Sequence, residues 1–131
     1  MIYIKATVKG EPDTFPFTQT FLYADESDEQ VFSNSVEMIK EKLDKNLRIN
    51  INESLIIYCA YIVSELRARK PVKVIEKNAQ KILPSNKVMI GVPETLRKIS
   101  FEVKIDKLSN KSIILKEPIP TTNYILATTN R

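Results

Sequence analysis

The stretch that decides the fold runs from Asn50 to Phe101 and reads NINESLIIYCAYIVSELRARKPVKVIEKNAQKILPSNKVMIGVPETLRKISF. Asn50 followed by Glu53 is typical of a capping pair at a helix start. The spacing beyond it predicts a helix over about residues 52–69, with an apolar arc wide enough for a central core helix. The residues of this arc are Leu55, Ile56, Cys59, Ile62, Val63 and Leu66.

Prolines and one glycine divide the rest of this stretch. Pro71 can occupy the first position of a third helix, and Pro84 ends it. A short fourth helical turn is expected over residues 85–90, with Gly91 as its left-handed C-cap and Pro93 preventing continuation. The apolar face of the third helix is predicted to be Val72, Ile75, Ala79, Ile82 and Leu83.

The segments on either side of the central stretch alternate with period two. Residues 99–105 and 112–116 predict a C-terminal β-hairpin, and residues 2–23 predict an N-terminal one in which Pro16 suits an edge position. Between them, a first helix is expected over about residues 28–45, with Ser27 and Gln30 as a capping box. The fold class is therefore α+β, with one domain in 131 residues.

Composition removes several function classes. No apolar run approaches the roughly 20 residues of a membrane helix, which favours a soluble cytoplasmic protein. The chain has no histidine, two glycines and one cysteine, so we expect no catalytic residue and no metal ligand on it. Its net charge is only +4, and the cluster Arg67, Arg69 and Lys70 lies at a helix end that favours cations. Nucleic-acid binding is therefore the minority interpretation.

The central stretch closely resembles the urease gamma subunit family, the small structural chain of bacterial ureases. The register holds without a gap from Asn50 to Glu102, and the run Val-Met-x-Gly-Val-Pro-Glu at residues 88–94 is its most specific element. Positions that match the family pattern are Asn50, Glu53, Ser54, Arg67, Lys70, Val72, Leu83, Val88, Met89, Gly91, Val92, Pro93, Glu94, Ile99, Glu102, Pro118 and Ile119.

The chain also departs from the family pattern. Asn52 stands where the family has proline, and Ala68-Arg69 stands where it has Asp-Gly. Residues 106–111 replace a shorter Pro-Asp-Gly-Thr turn. We therefore predict a divergent member or paralogue in three parts. These are an N-terminal extension of residues 1–24, a four-helix urease-gamma-like domain over 25–119, and a tail over 120–131.

The resemblance implies a non-catalytic structural subunit of a urease-like hydrolase that converts urea to ammonia and carbamate. Nickel is then expected in the partner large subunit, and the partners are beta and alpha subunits in a trimer of heterotrimers. Two alternatives remain: a stand-alone interaction module without a catalytic partner, and a nucleic-acid-binding protein. The candidate subunit-interface or scaffold residues are Asn50, Glu53, Arg67, Lys70, Val88, Met89, Gly91, Val92, Pro93 and Glu94.

Overall fold

The structure is a computed structural model that describes residues 1–10 and 16–120. It has an α+β architecture in which a four-stranded antiparallel sheet of order β2-β1-β3-β4 packs one face against helices. The strands are β1 (Ile2–Lys9), β2 (Phe17–Tyr23), β3 (Lys98–Ile105) and β4 (Lys111–Lys116). The α-helices are α1 (Glu26–Asp44), α2 (Ile51–Arg67), α3 (Val72–Asn78) and α4 (Val92–Thr95), and 3-10 turns cover Ala79–Lys81 and Ser85–Lys87.

Strand β1 lies in the interior of the sheet. It pairs with β2 on one side and with β3 on the other, where Ile2 faces Ile105 and Lys9 faces Lys98. Its alternate side chains from Ile2 to Val8 are fully buried, as the period of two predicts. The N-terminal segment therefore belongs to the same sheet as the C-terminal strands. Residues 11–15, which connect the two strands of the predicted N-terminal hairpin, and the predicted tail beyond residue 120 lie outside the described residues.

Helix α2 forms the centre of the core. The predicted capping box is confirmed, because Asn50 Oδ1 accepts from the Glu53 backbone N–H at 2.8 Å and Glu53 Oε1 accepts from the Asn50 N–H at 3.0 Å. Helix α1 is predicted to have Ser27 as its cap, and that prediction is wrong. The cap is Asp25, whose carboxylate accepts from the Asp28 N–H at 2.9 Å. The side chains that α2 buries are Ser54, Leu55, Ile57, Tyr58, Cys59, Ile62, Val63 and Leu66.

The predicted ends of the short helices need three corrections. Pro71 is the N-cap of α3 and not its first helical residue. The helical turn after Pro84 covers only Ser85–Lys87, and Val88 is extended. Gly91 is left-handed as expected, with φ 92°, but it is the N-cap of α4 and not a C-cap. Pro93 consequently lies in the first turn of a helix, where its missing N–H costs nothing, and does not end one.

None of the helices in the described part of the chain combines the length and the apolar composition needed to cross a membrane.

The described part of the core contains one buried side-chain oxygen without a hydrogen-bond partner. The Tyr58 side chain is 0% exposed, and its hydroxyl has no hydrogen-bond partner among the described residues. Burial accordingly raises the pKa of this phenol above its usual range. The neighbouring Tyr61 hydroxyl, by contrast, donates to the Ile75 carbonyl oxygen of α3 at 2.7 Å.

We expect Tyr58→Phe to leave the free energy of unfolding unchanged or to raise it by up to about 2 kcal/mol, because it removes an unpaired buried hydroxyl and keeps the ring. Tyr61→Phe is the matched control and should lower it by about 1 kcal/mol, because a made hydrogen bond is lost. Urea unfolding at constant pH measures both. A loss at Tyr58→Phe as large as that at Tyr61→Phe would contradict the prediction.

Candidate subunit interface

Residues 88–94 comprise an extended segment, the turn at Gly91 and the first three residues of α4, and this stretch, called here the 88–94 loop, is anchored at Val88 and at Val92. At its start, Val88 forms a parallel bridge with Ile49: the Ile49 N–H donates to the Lys87 carbonyl oxygen at 3.1 Å, and the Met89 N–H donates to the Ile49 carbonyl oxygen at 2.9 Å. At its end, the buried side chain of Val92 enters the core. The loop is therefore held directly beside the N-terminus of α2.

The side chains between these two anchors point to solvent. Ile90 is 95% exposed and Met89 is 46% exposed, and Glu94, which lies just beyond Val92, is also exposed. Isolated exposed apolar residues are ordinary on protein surfaces. Ile90 differs because the backbone on either side of it is held by the Ile49–Val88 bridge and by the buried side chain of Val92. The direction in which the Ile90 side chain points is therefore restricted. Sequence reasoning missed Ile90, because it occupies the open position of the Val-Met-x-Gly-Val-Pro-Glu run.

Gly91 provides the turn that sets the direction of this projection. Its backbone has φ 92° and ψ −16°, a region that residues with a side chain rarely adopt. A Cβ atom at this position would have no heavy atom within 4 Å. The requirement for glycine therefore comes from backbone conformation and not from crowding.

We expect Gly91→Ala to destabilise the protein by about 1–2 kcal/mol, the cost of a left-handed residue that carries a Cβ. Gly91→Asn should cost less, because asparagine tolerates positive φ better than alanine does. Thermal or urea unfolding of the two variants measures the difference. Equal losses in both variants would mean that something other than φ determines the choice of glycine.

The first two candidate residues, Asn50 and Glu53, lie beside the 88–94 loop. Glu53 Oε2 also accepts from Lys42 Nζ of α1 at 2.6 Å, so one carboxylate joins the start of α2 to the end of α1. Partial burial acts to raise the pKa of Glu53, but the hydrogen bonds from Lys42 and from the Asn50 backbone outweigh it and hold the pKa below its ordinary value. Both residues thus have a complete role within the chain.

Arg67 lies at the opposite end of α2 and belongs to a network of four charges. Its guanidinium contacts Glu29 of α1 at 2.9 Å and Asp106 after β3 at 3.1 Å. The Met1 amino group contacts the same two carboxylates, at 3.2 Å and 3.1 Å. The hydrogen bond from Arg67 lowers the pKa of Glu29, and hydrogen bonds first from the Met1 amino group and then from Arg67 lower that of Asp106.

Lys70 lies just beyond this end of α2 and pairs with Glu65 at 2.9 Å. Two of the three cations in the basic cluster therefore contact carboxylates of the same chain. This arrangement lowers the positive charge available to a phosphate backbone, which weakens the case for nucleic-acid binding.

The candidate residues consequently fall into two groups. Helix α2 has 17 residues, which places its ends about 25 Å apart at 1.5 Å per residue. Asn50, Glu53 and the 88–94 loop lie at one end, and Arg67 and Lys70 lie at the other. The two groups do not form one site, and only the first presents exposed apolar side chains on a fixed loop.

We expect the ion pairs of Arg67 with Glu29 and Asp106 to contribute about 1 kcal/mol at neutral pH, because these side chains are largely exposed and solvent screens them. Since the folded-state pKa of each carboxyl is depressed, this contribution is present above the ordinary pKa of Glu29, 4.5, and is lost as the pH falls through the folded values. The free energies of unfolding of wild type and Arg67→Met should therefore converge below pH 4.5.

Urea unfolding across this pH range tests the convergence. Lys40→Met, which removes an exposed cation of α1, is the control and should show a small difference from wild type at every pH. A difference between wild type and Arg67→Met that stays constant from neutral pH to acid would show that the arginine acts through packing of its stem and not through the carboxylates.

The described residues bring together no group that suggests chemistry on this chain. Among them, no three histidine, cysteine, aspartate or glutamate side chains are placed to hold a metal ion. Cys59 is fully buried in α2, and burial raises the pKa of its thiol well above the ordinary value, which disfavours the reactive thiolate. Fold and surface thus define a small α+β chain whose distinctive feature is an exposed, fixed loop.

Comparison with known proteins agrees with this description and identifies the family. The sequence model for the family described as "Urease, gamma subunit" matches residues 21–119. A urease subunit gamma from Halalkalibacterium halodurans is 31% identical over 83 residues, which are 63% of this chain and 82% of that relative. The chain belongs to the urease gamma subunit family.

Proposed function

We propose that this chain is the non-catalytic gamma-type subunit of a cytoplasmic urease complex that hydrolyses urea to ammonia and carbamate. The family match over residues 21–119 is the observation that carries the proposal. In this proposal the chain assembles with beta and alpha subunits as a trimer of heterotrimers, and its contribution is a folded surface that the partners bind.

Nickel belongs to the large partner subunit in this proposal. The chain has no histidine, and its described residues include no group of three potential ligands. Imidazole is a common ligand for nickel in proteins, so the donor set of this chain does not fit a nickel centre. The nickel-dependent step of urea hydrolysis is therefore assigned to the partner.

The 88–94 loop is the proposed contact with a partner subunit. Ile90 and Met89 together offer an apolar projection that an apolar pocket can cover, and exposed Glu94 supplies a charge at its rim. Interfaces obtain most of their energy from a few side chains that become fully buried on binding. The backbone bridge between Ile49 and Val88 lowers the entropic cost of that burial, because the loop is ordered before it binds.

We expect co-expression with the alpha and beta urease subunits to yield a stable complex, and Ile90→Asp to weaken it by about 2 kcal/mol, or roughly 30-fold in dissociation constant. Met38→Asp, an exposed apolar residue on α1, is the matched control and should leave assembly unchanged. Native mass spectrometry measures the complex, and circular dichroism verifies that each variant is folded. The two parts of the proposal fail separately. Absence of any complex with the wild-type chain contradicts the subunit role, whereas full assembly of Ile90→Asp contradicts only the loop contact.

A further inference from the structure

The outer edge of β2 is an open strand edge. The inner edge of β2 pairs with β1 along all seven residues, from Phe17 to Tyr23. Among residues 1–10 and 16–120, no strand pairs with the other side of β2. Because alternate residues of an antiparallel strand direct their N–H and C=O groups away from its neighbour, this edge presents a row of donors and acceptors that no described strand pairs with.

The side chains of β2 do nothing to protect this edge. The strand reads FTQTFLY and contains no charged residue and no proline, although Pro16 directly precedes it. Natural edge strands are usually protected by lysines, prolines or bulges that prevent pairing with another chain. In β2 the exposed side chains are instead hydroxyls and hydrocarbons, with Leu22 59% exposed.

The opposite edge of the same sheet is protected. Strand β4 has a lysine at each end, Lys111 and Lys116. Helix α3 packs beside it, and Glu76 of that helix accepts the Ile114 backbone N–H at 2.7 Å. The β4 edge of the sheet is therefore protected against pairing by its lysines and by a carboxylate acceptor, and the β2 edge has neither.

The chemistry of the open edge identifies what fits it. Its backbone groups require an extended strand, and its neutral side chains allow a strand of the same sequence to approach without repulsion. In an antiparallel pair of β2 strands centred on Thr20, Phe17 would lie opposite Tyr23 of the second copy, and Thr18 opposite Leu22. The two residues of each pair lie on the same face of the sheet, because their numbers differ by an even number, six for Phe17 and Tyr23 and four for Thr18 and Leu22.

We propose that the outer edge of β2 binds the same edge of a second copy of this chain, so that the two sheets join about a two-fold axis near Thr20. The contact is isologous, as in most closed dimers. The proposal goes beyond the subunit role. It uses β1 and β2, and the family match begins only at residue 21, so most of this edge lies outside the matched region.

The substitution Thr20→Glu should disrupt the proposed dimer without destabilising the fold of the single chain. Within one chain, position 20 lies opposite Lys5 of β1, so a carboxylate there gains a favourable cross-strand partner. Across the proposed axis the same carboxylate meets its own counterpart, and like charges directly opposite are destabilising. Thr20→Gln has nearly the same size without the charge and is the matched control.

Size-exclusion chromatography with light scattering, over a concentration series of the full chain, measures the association. We expect a mass of two chains for wild type and Thr20→Gln and of one chain for Thr20→Glu and for Thr20→Lys. An equimolar mixture of Thr20→Glu and Thr20→Lys should regain the two-chain mass, because opposite charges then meet at the axis. Circular dichroism establishes that each variant is folded, and the regained mass is a result that a folding defect cannot produce.

A wild-type chain that has the mass of one chain at every concentration would overturn the proposal, as would a Thr20→Glu variant that remains a dimer. If wild type has the mass of one chain and deletion of residues 121–131 produces a dimer, residues 121–131 occupy the outer edge of β2 in the intact chain, and the proposal is wrong. None of these results bears on co-purification with urease subunits, so the two proposals are judged separately.

Discussion

The burial of α2 is the constraint on which the other elements depend. Seven apolar or aromatic side chains of this helix are buried. Burying a large aliphatic side chain contributes about 1.5–3 kcal/mol to the free energy of unfolding, so the helix depends on the elements that cover it. The sheet, α1 and α3 must all cover it, and the ion pairs Lys42–Glu53 and Arg67–Glu29 join α1 to the two ends of α2. The 88–94 loop owes its position to Ile49, which lies two residues before the start of this helix.

What the sequence predicts and what it leaves open follow from the range of the interactions. The capping box at Asn50 and Glu53 is local, and it forms as predicted. The positive φ of Gly91 is also local and is predicted correctly, but the predicted C-cap role is wrong. A left-handed glycine can follow one helix or precede the next, and the position of Pro93 in the first turn of α4 shows that Gly91 precedes a helix. Arg67 remains a candidate interface residue, and its acidic partners within the chain lie 38 and 39 residues away, a separation that no helical periodicity reports.

The N-terminal segment, residues 1–24, shows the same limit on a larger scale. Alternation predicts its strands, but it does not say that β1 becomes an interior strand between β2 and β3. One departure from the family pattern has a structural reason in this context. Asn52, which stands where the family has proline, accepts a hydrogen bond from Gln19 of β2 at 2.8 Å. Strand β2 and the start of α2, where Asn52 lies, are therefore in direct contact.

The pairing of β1 with β3 also fixes an order of events during synthesis. Ile2 is made before α1 to α4, and its partner Ile105 is made only after them. A two-stranded ribbon of β1 and β2 is marginal by itself in water, so these strands must wait for the C-terminal part of the chain. Such long-range pairing slows folding and exposes apolar strands in the meantime. Strands β1 and β2 are therefore exposed to aggregation until β3 has been made, and the speed of translation through the helices determines how long that period lasts.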